Sequence, residues 1–167
     1  MAPLVLTLDL DPVLFAGLDA LRQAHFPPER NFVPAHVTLF HHLPGEHEAD
    51  IAARLAEMCA ARPPLAVTLP GLRSLGRGVA VVVDAPELVT LRNRLARQWA
   101  AALAPQDRQG YRPHVTIQNK VTPAEANRLL DELAATWVPV IGTGDGLRLW
   151  RYAGGPWDTA GRFAFTG

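Results

Sequence analysis

The stretch HVTL at positions 36–39 recurs as HVTI at positions 114–117, and this pair of short segments organises the chain. In both copies polar residues alternate with β-branched or aliphatic ones, which predicts two β-strands. Because successive side chains of a strand point to opposite faces, the histidine and threonine of each copy share one face. The copies lie about half the chain apart. We therefore expect two related units whose polar faces line one cleft.

The polar side chains of the two copies are the candidate catalytic residues His36, Thr38, His114 and Thr116. A single histidine in a strand is most often a hydrogen-bonded structural residue. Two histidines in matching contexts suit acid–base chemistry, because imidazole titrates near neutral pH. Threonine hydroxyls add hydrogen-bond donors for developing negative charge. The pair of motifs thus favours a catalytic site.

On these motifs the chain resembles the 2H phosphoesterase superfamily, which includes bacterial 2′-5′ RNA ligase-like proteins and RNA 2′,3′-cyclic phosphodiesterases. That family is defined by two H-x-[ST]-hydrophobic motifs, and the length and half-chain spacing fit as well. The resemblance implies an enzyme that opens 2′,3′-cyclic phosphate ends of RNA or nucleotides to 2′-phosphates, without a cofactor. It favours His36 as the acid and His114 as the base. Thr38 and Thr116 would hold the non-bridging phosphoryl oxygens.

Three other functions stay open at this stage. The same site would serve 2′-5′ phosphodiester cleavage or ligation, or hydrolysis of another small cyclic nucleotide. A nucleotide- or RNA-end-binding module without turnover is an alternative of another class. A metal-dependent hydrolase would use His41, His42 and His47. Since His41 and His42 are adjacent and would face opposite sides of a strand, and no cysteine or carboxylate spacing accompanies them, we expect no metal site.

Four further residues are candidates for substrate binding: Phe40, Tyr111, Arg112 and Gln118. Continued alternation would place Phe40 beside His36 and Thr38, and would place Arg112 and Gln118 on the face of His114. Tyr111 offers a stacking surface in a loop. Another signal comes from the segment GLR, which occurs at positions 71–73 and again at 146–148. Its two arginines occupy equivalent positions of the repeat.

Composition limits the class of partner and location. The net charge is zero, with 16 basic and 16 acidic residues, which argues against binding of long duplex nucleic acid and favours a short or terminal nucleotide. No apolar run is long enough to span a membrane, and no secretory signal begins the chain, so we expect a cytoplasmic protein. We also expect a monomer. The single cysteine, Cys59, rules out an internal disulfide.

The element pattern predicts an α+β fold in which strand–helix–strand–helix–strand–strand occurs twice. We expect one bilobal domain over residues 1–167, with an approximate repeat of 1–83 and 79–167. Helix N-caps are predicted at Asp11, Asp84 and Thr122. Strands at 138–141 and 162–165 are predicted to close the second unit. The family resemblance implies two pseudo-symmetric lobes whose antiparallel sheets enclose a central cleft.

Overall fold

Eight strands and four α-helices make up the fold of the computed structural model, which describes all 167 residues. The predicted order of strands and helices, occurring twice, is confirmed. The elements in chain order are β1 (Leu4–Leu10), α1 (Pro12–His25), β2 (Val37–Leu43), α2 (Glu48–Ala60), β3 (Leu65–Leu69), β4 (Leu72–Ser74), β5 (Val79–Val82), α3 (Pro86–Gln98), β6 (His114–Gln118), α4 (Pro123–Thr136), β7 (Val140–Arg151) and β8 (Asp158–Ala164).

Two of the three predicted helix caps form. The Asp11 carboxylate accepts a hydrogen bond from the backbone N–H of Leu14 at 2.9 Å, and Pro12 fills the first helical position of α1. The Thr122 hydroxyl accepts from the N–H of Glu125 at 3.2 Å and starts α4 in the same way. These bonds satisfy N–H groups that the first helical turn leaves without partners.

The third predicted cap, Asp84, is wrong. Helix α3 begins at Pro86, and Ala85 occupies the cap position without a side-chain hydrogen bond. The backbone of Asp84 instead pairs with Thr68 through two N–H···O bonds of 2.8 and 2.9 Å. This bridge connects β3 to the segment after β5, so a tertiary contact takes precedence over the local capping pattern.

The strands form two antiparallel sheets that do not follow the midpoint of the chain. The larger sheet has the order β2-β1-β7-β3, and β8 also pairs with β7; the smaller has the order β4-β5-β6. Each sheet therefore combines strands from both halves of the chain. Strand β4 joins β5 and β6, and β7 lies between β1 and β3. The α+β class with two antiparallel sheets is confirmed.

Strand β7 is much longer than the predicted strand at 138–141. Its first part pairs with β3 and its second with β8, while β1 runs along its other side. Several glycines in a short stretch of sequence are typical of a turn. In β7, however, the close packing of the neighbouring strands requires glycine. A Cβ at Gly144 would lie 2.8 Å from Leu8 Cδ1, and one at Gly146 would lie 2.5 Å from the carbonyl oxygen of Phe163. Small residues here allow the neighbouring strands to approach.

One hydrophobic cluster takes members from both sheets and all four helices. Leu14, Leu55, Leu88 and Leu129 contribute one buried side chain from each helix. The two sheets thus share a continuous core, which fixes the position of one motif strand relative to the other. None of the helices has the length and hydropathy that crossing a bilayer requires.

Candidate active site

A cleft of about 370 Å³ lies between the two motif strands, β2 and β6. All four predicted catalytic residues line it. Polar and charged side chains dominate the walls, which are formed by His36, Thr38, Leu39, His41, Arg73, Arg92, Gln106, Asp107, Gln109, Gly110, Tyr111, Arg112, His114, Thr116 and Trp157. Asp107 is the only carboxylate among them. The cleft is therefore suited to an anionic ligand.

His36 lies immediately before β2, with a fixed ring orientation. Its Nδ1 lies 2.8 Å from the carbonyl oxygen of Pro34. Because a carbonyl only accepts, Nδ1 carries the hydrogen and Nε2 has the free lone pair in the neutral ring. Burial lowers the pKa of His36 to about 4, with smaller contributions in the same direction from Arg22, His41 and His114. The unprotonated form dominates at neutral pH.

His114 begins β6 and repeats this arrangement. Its Nδ1 donates to the carbonyl oxygen of Arg112 at 2.9 Å, which again leaves Nε2 free. Burial lowers the pKa of His114, and the positive charges of Arg73 and Arg112 act in the same direction. Arg73 Nη2 lies 3.4 Å from His114 Nδ1. Both nitrogens are donors here, so the contact brings a cation against the ring without a hydrogen bond.

Each motif threonine belongs to a row of three residues across neighbouring strands. In the larger sheet, Thr38 on β2 pairs with Thr7 on β1, which pairs with Arg148 on β7. In the smaller sheet, Thr116 on β6 pairs with Ala80 on β5, which pairs with Arg73 on β4. The predicted equivalence of the two arginines in the repeat thus corresponds to equivalent positions on the third strand.

The two arginines have different surroundings. Arg148 forms an ion pair with Asp9, with 3.5 Å between Nε and Oδ1, and its guanidinium lies 4.7 Å from the centre of the Trp150 ring. Arg73 has no acidic partner, whereas the buried Nε of both arginines lacks a hydrogen-bond partner. Burial lowers the pKa of Arg73, and the charge of Arg112 lowers it further. Arg73 therefore brings an uncompensated positive charge to the cleft beside His114.

Tyr111 and Arg112, two of the predicted substrate-binding residues, line the cleft. Tyr111 is half-buried, and its hydroxyl donates to the carbonyl oxygen of Thr38 at 2.8 Å. It connects the segment before His114 to the opposite motif strand, and burial raises its pKa. Arg112 is exposed at the wall. Tyr111 is thus held by packing, while Arg112 is free to meet a ligand.

Phe40 and Gln118 do not line the cleft, which corrects their predicted placement. Alternation along β2 breaks after Leu39, where the pairing with β1 shifts register, and Phe40 becomes fully buried. Its ring packs edge-on against Trp99, with 5.5 Å between centroids. Gln118 is 7% exposed at the end of β6 and is not among the residues that line the cleft. Both predictions relied on regular alternation alone, and alternation does not indicate how deeply a side chain is buried.

Asp107 and His41 form a pair that the sequence reasoning missed. The Asp107 carboxylate is 1% exposed and accepts bonds from the backbone N–H groups of His41 and His42 and from His41 Nδ1 at 3.1 Å. Burial alone would raise the pKa of Asp107, but these bonds outweigh it and the pKa is lowered. The acid comes from a polar loop 66 residues after His41 in sequence, so no local pattern could have identified it.

Two buried arginines hold the walls of the cleft. Arg92 donates to the carbonyl oxygens of Leu39 at 3.2 Å and Asp107 at 2.6 Å. Arg22, on α1, donates to the carbonyl oxygen of Thr116 at 2.8 Å. In the sequence, Arg22 and Arg92 look like ordinary polar residues of helices. Both arginines serve as internal hydrogen-bond donors.

No three histidine, cysteine, aspartate or glutamate side chains come close enough together to hold a metal ion. Of the three histidines considered for such a site, only His41 lines the cleft, and Asp107 engages its Nδ1. His42 and His47 are exposed and lie outside the cleft.

Comparisons with known proteins agree with this architecture. The family model described as the 2′-5′ RNA ligase superfamily matches residues 10–156. Among solved structures, TT0787 of Thermus thermophilus is 18% identical, with a TM-score of 0.68 and coverage of 99% of this chain and 98% of that one. E. coli LigT complexed with 3′-AMP is 20% identical, with a TM-score of 0.63 and 99% of each chain covered. Comparison with curated protein sequences finds no match. The structural likenesses establish the fold.

Proposed function

The chain belongs to the 2′-5′ RNA ligase superfamily, and from this premise we propose that it opens 2′,3′-cyclic phosphate ends of RNA or nucleotides to 2′-phosphates. The observation that carries the proposal is the convergence of His36, Thr38, His114 and Thr116 on one cleft that also contains the unpaired Arg73. E. coli LigT, a structural neighbour, has been crystallised with 3′-AMP, NADP⁺, ATP and phosphate. A nucleotide phosphate is thus the expected ligand.

The proposed reaction is an in-line displacement at phosphorus. A water oxygen attacks phosphorus opposite the 3′-oxygen, and one histidine takes the water proton at Nε2. The bond between phosphorus and the 3′-oxygen breaks, and the other histidine gives its Nε2 proton to that oxygen. The products are a 2′-phosphate and a 3′-hydroxyl. The two rings supply both proton transfers, so the proposed mechanism assigns no step to a metal ion.

Hydrogen-bond donors around the cleft would stabilise the phosphoryl oxygens. The hydroxyls of Thr38 and Thr116 donate to the non-bridging oxygens from opposite walls. Arg73 balances the negative charge on the side of His114, and Arg112 adds a second cation at the rim. A bound phosphate would also raise the pKa of both histidines, because it stabilises their protonated forms.

Two arguments assign the acid and base roles of the histidines in opposite ways. The resemblance makes His36 the acid, which requires that bound phosphate raise the pKa of this ring. The pKa of about 4 favours His36 as the base, because the neutral form accepts a proton. A substrate with sulfur at the 3′ position separates these cases, since a thiolate leaves without protonation. Activity should return in the variant that lacks the acid and stay absent in the variant that lacks the base.

The primary test is incubation with the four 2′,3′-cyclic nucleotides in the presence of a chelator, with the position of the product phosphate identified by phosphorus NMR. The proposal expects 2′-phosphates and full activity in chelator. A 3′-phosphate product would show that the 2′-oxygen leaves and would contradict the proposed attack opposite the 3′-oxygen, and loss of activity in chelator would indicate a metal-dependent enzyme. Tight binding without product after long incubation would indicate a binding module.

The family description favours one second candidate, cleavage or ligation of 2′-5′ phosphodiester bonds. Ligation is the reverse of diester opening, so His36 and His114 would exchange protons with the same atoms. An assay with 2′-5′-linked dinucleotides beside the cyclic nucleotides compares the two reactions directly. A higher kcat/KM on the 2′-5′ linkage would make it the principal activity.

A further inference from the structure

A second cavity of about 580 Å³ adjoins the active-site cleft and shares His41 and Trp157 with it. We call it the extension cavity. It lies between the loop before β2 and the turn that connects β7 to β8. Its walls are formed by Val5, Arg30, Phe32, Val33, His41, Tyr152, Gly154, Gly155, Pro156 and Trp157. The two spaces are therefore adjacent parts of one surface.

The extension cavity combines aromatic rings with positive charge. Phe32 is 66% exposed and Tyr152 40% exposed, although both side chains are large. Trp157 provides a third ring at the boundary with the cleft. Arg30 forms no ion pair with any carboxylate, and no acidic residue lines the cavity. Exposed rings beside an unpaired arginine are typical of sites that stack the bases and neutralise the backbone of single-stranded nucleic acid.

His41 marks the junction and is held in one orientation. Its Nδ1 donates to the buried carboxylate of Asp107 at 3.1 Å, so Nε2 remains for a ligand. The side chain is 46% exposed, and it lines both the cleft and the extension cavity. A phosphate that enters the extension cavity from the cleft would pass this imidazole and then reach Arg30.

We propose that the extension cavity binds the nucleotide on the 5′ side of a cyclic phosphate end, so that the preferred substrate is an oligoribonucleotide. The proposal depends on the function proposed above. A 2′,3′-cyclic phosphate occupies both the 2′- and 3′-oxygens, so the strand continues only through the 5′-oxygen. A cavity that adjoins the cleft and offers stacking rings suits this neighbouring nucleotide. Its base would stack on both Phe32 and Tyr152, and its phosphate would lie near His41 and Arg30.

The other cavity beside the cleft differs in charge. It lies behind His36, has a volume of about 350 Å³ and contains Arg148 and Arg162. Both arginines form ion pairs with Asp9, at 3.5 and 3.4 Å. That one carboxylate, which also lines the cavity, offsets part of their positive charge and would repel a phosphate, whereas no carboxylate lines the extension cavity. The extension cavity is thus the better of the two for an additional backbone phosphate.

The test compares kcat/KM for a 2′,3′-cyclic mononucleotide with kcat/KM for a trinucleotide that ends in the same cyclic nucleotide. The wild type should prefer the trinucleotide. Phe32→Ala and Tyr152→Ala should each lower kcat/KM for the trinucleotide by about tenfold, in line with the loss of one stacked base, and should leave the mononucleotide unchanged. Ile141→Ala, at an exposed apolar residue outside both cavities, is the matched control.

Binding provides a readout that does not depend on turnover. Fluorescence anisotropy of a 5′-labelled trinucleotide 2′-phosphate should give about tenfold weaker affinity for Phe32→Ala and Tyr152→Ala than for the wild type. Equal kcat/KM for the two substrates, equal losses on both, or unchanged affinity in the variants would overturn the proposal. Failure of the proposed function appears separately, as absence of product from the mononucleotide.

Discussion

The two half-sites of the cleft carry the same motif on equivalent strands but differ in charge. On the His36 side, Thr7 stands between the motif threonine and Arg148, and Arg148 forms an ion pair with Asp9. On the His114 side, the equivalent position is Ala80, and Arg73 approaches the histidine with no acidic partner. The two copies of the motif place equivalent imidazoles in the cleft. The arginine on the third strand of each row, β7 or β4, gives the two imidazoles different electrostatic surroundings. An acid and a base need that inequality, because two rings with the same pKa would favour the same protonation state.

Removal of either imidazole tests whether the half-sites act as a pair. We expect His36→Ala and His114→Ala each to lower kcat on 2′,3′-cyclic nucleotides by about a hundred- to ten-thousand-fold, the contribution of one acid–base group. The measurement is steady-state hydrolysis, with circular dichroism to check the fold. His47→Ala, at an exposed histidine outside the cleft, is the control and should retain full activity. Full activity in either active-site variant would refute the assignment.

The two arginines provide the sharpest contrast between the half-sites. Arg73→Gln should lower kcat/KM by about 10- to 100-fold, because it removes a charged donor beside the phosphate. Arg148→Gln should leave kcat/KM near the wild-type value, since that charge is paired with Asp9. Its effect should be a loss of stability of about 1 kcal/mol or less. Comparable losses of activity in the two variants would show that Arg73 and Arg148 do not differ in their contribution to catalysis.

The dependence of stability on acid pH should report the burial of His36. The pKa of His36 in the folded protein is about 4, below the 6.5 of an unperturbed histidine. The unfolded chain therefore binds the proton more tightly, and stability falls as pH decreases from about 6.5 to 4. Thermal melts across this range should show a smaller fall in Tm for His36→Gln than for the wild type. Equal pH dependence of the two proteins would contradict the burial of this ring as the cause.

The hydrogen bond between the half-sites should have the smallest effect. Tyr111→Phe removes the donor to the Thr38 carbonyl oxygen and should cost about 1 kcal/mol, or about 2 to 4 °C in Tm. Differential scanning calorimetry measures this directly. Tyr152→Phe is the control, because Tyr152 is 40% exposed and its hydroxyl has no partner in the protein. A similar change in both variants would indicate that the bond to Thr38 contributes nothing.

Local patterns predicted the parts of the fold and site that depend on local physics. Alternation identified the motif strands and the face shared by His36 and Thr38, and two capping patterns gave the starts of α1 and α4. The same alternation misplaced Phe40, because a register shift against β1 turns that residue into the core. The register of pairing between distant strands decides which side chains are buried, and this register cannot be derived from the sequence of β2 alone.

Residues contributed by tertiary contacts gave weaker signals or none. The repeated GLR segment pointed to Arg73 and Arg148, but their different roles depend on Asp9 and on the small Ala80 of neighbouring strands. Asp107 reaches His41 from a loop in the other half of the chain. Its role follows from burial, and a polar loop gives no indication of burial in sequence.

The exchange of strands between the halves has a consequence for cutting the protein in two. A break in the turn between β4 and β5, which contains Gly76, would leave β4 on one fragment and its only partner, β5, on the other. Likewise β7, at the centre of the larger sheet, would be separated from both β1 and β3. Neither fragment alone could assemble its sheet, whereas a mixture of the two would regain every pairing. Reconstitution from severed pieces should therefore restore both imidazoles to one cleft at once.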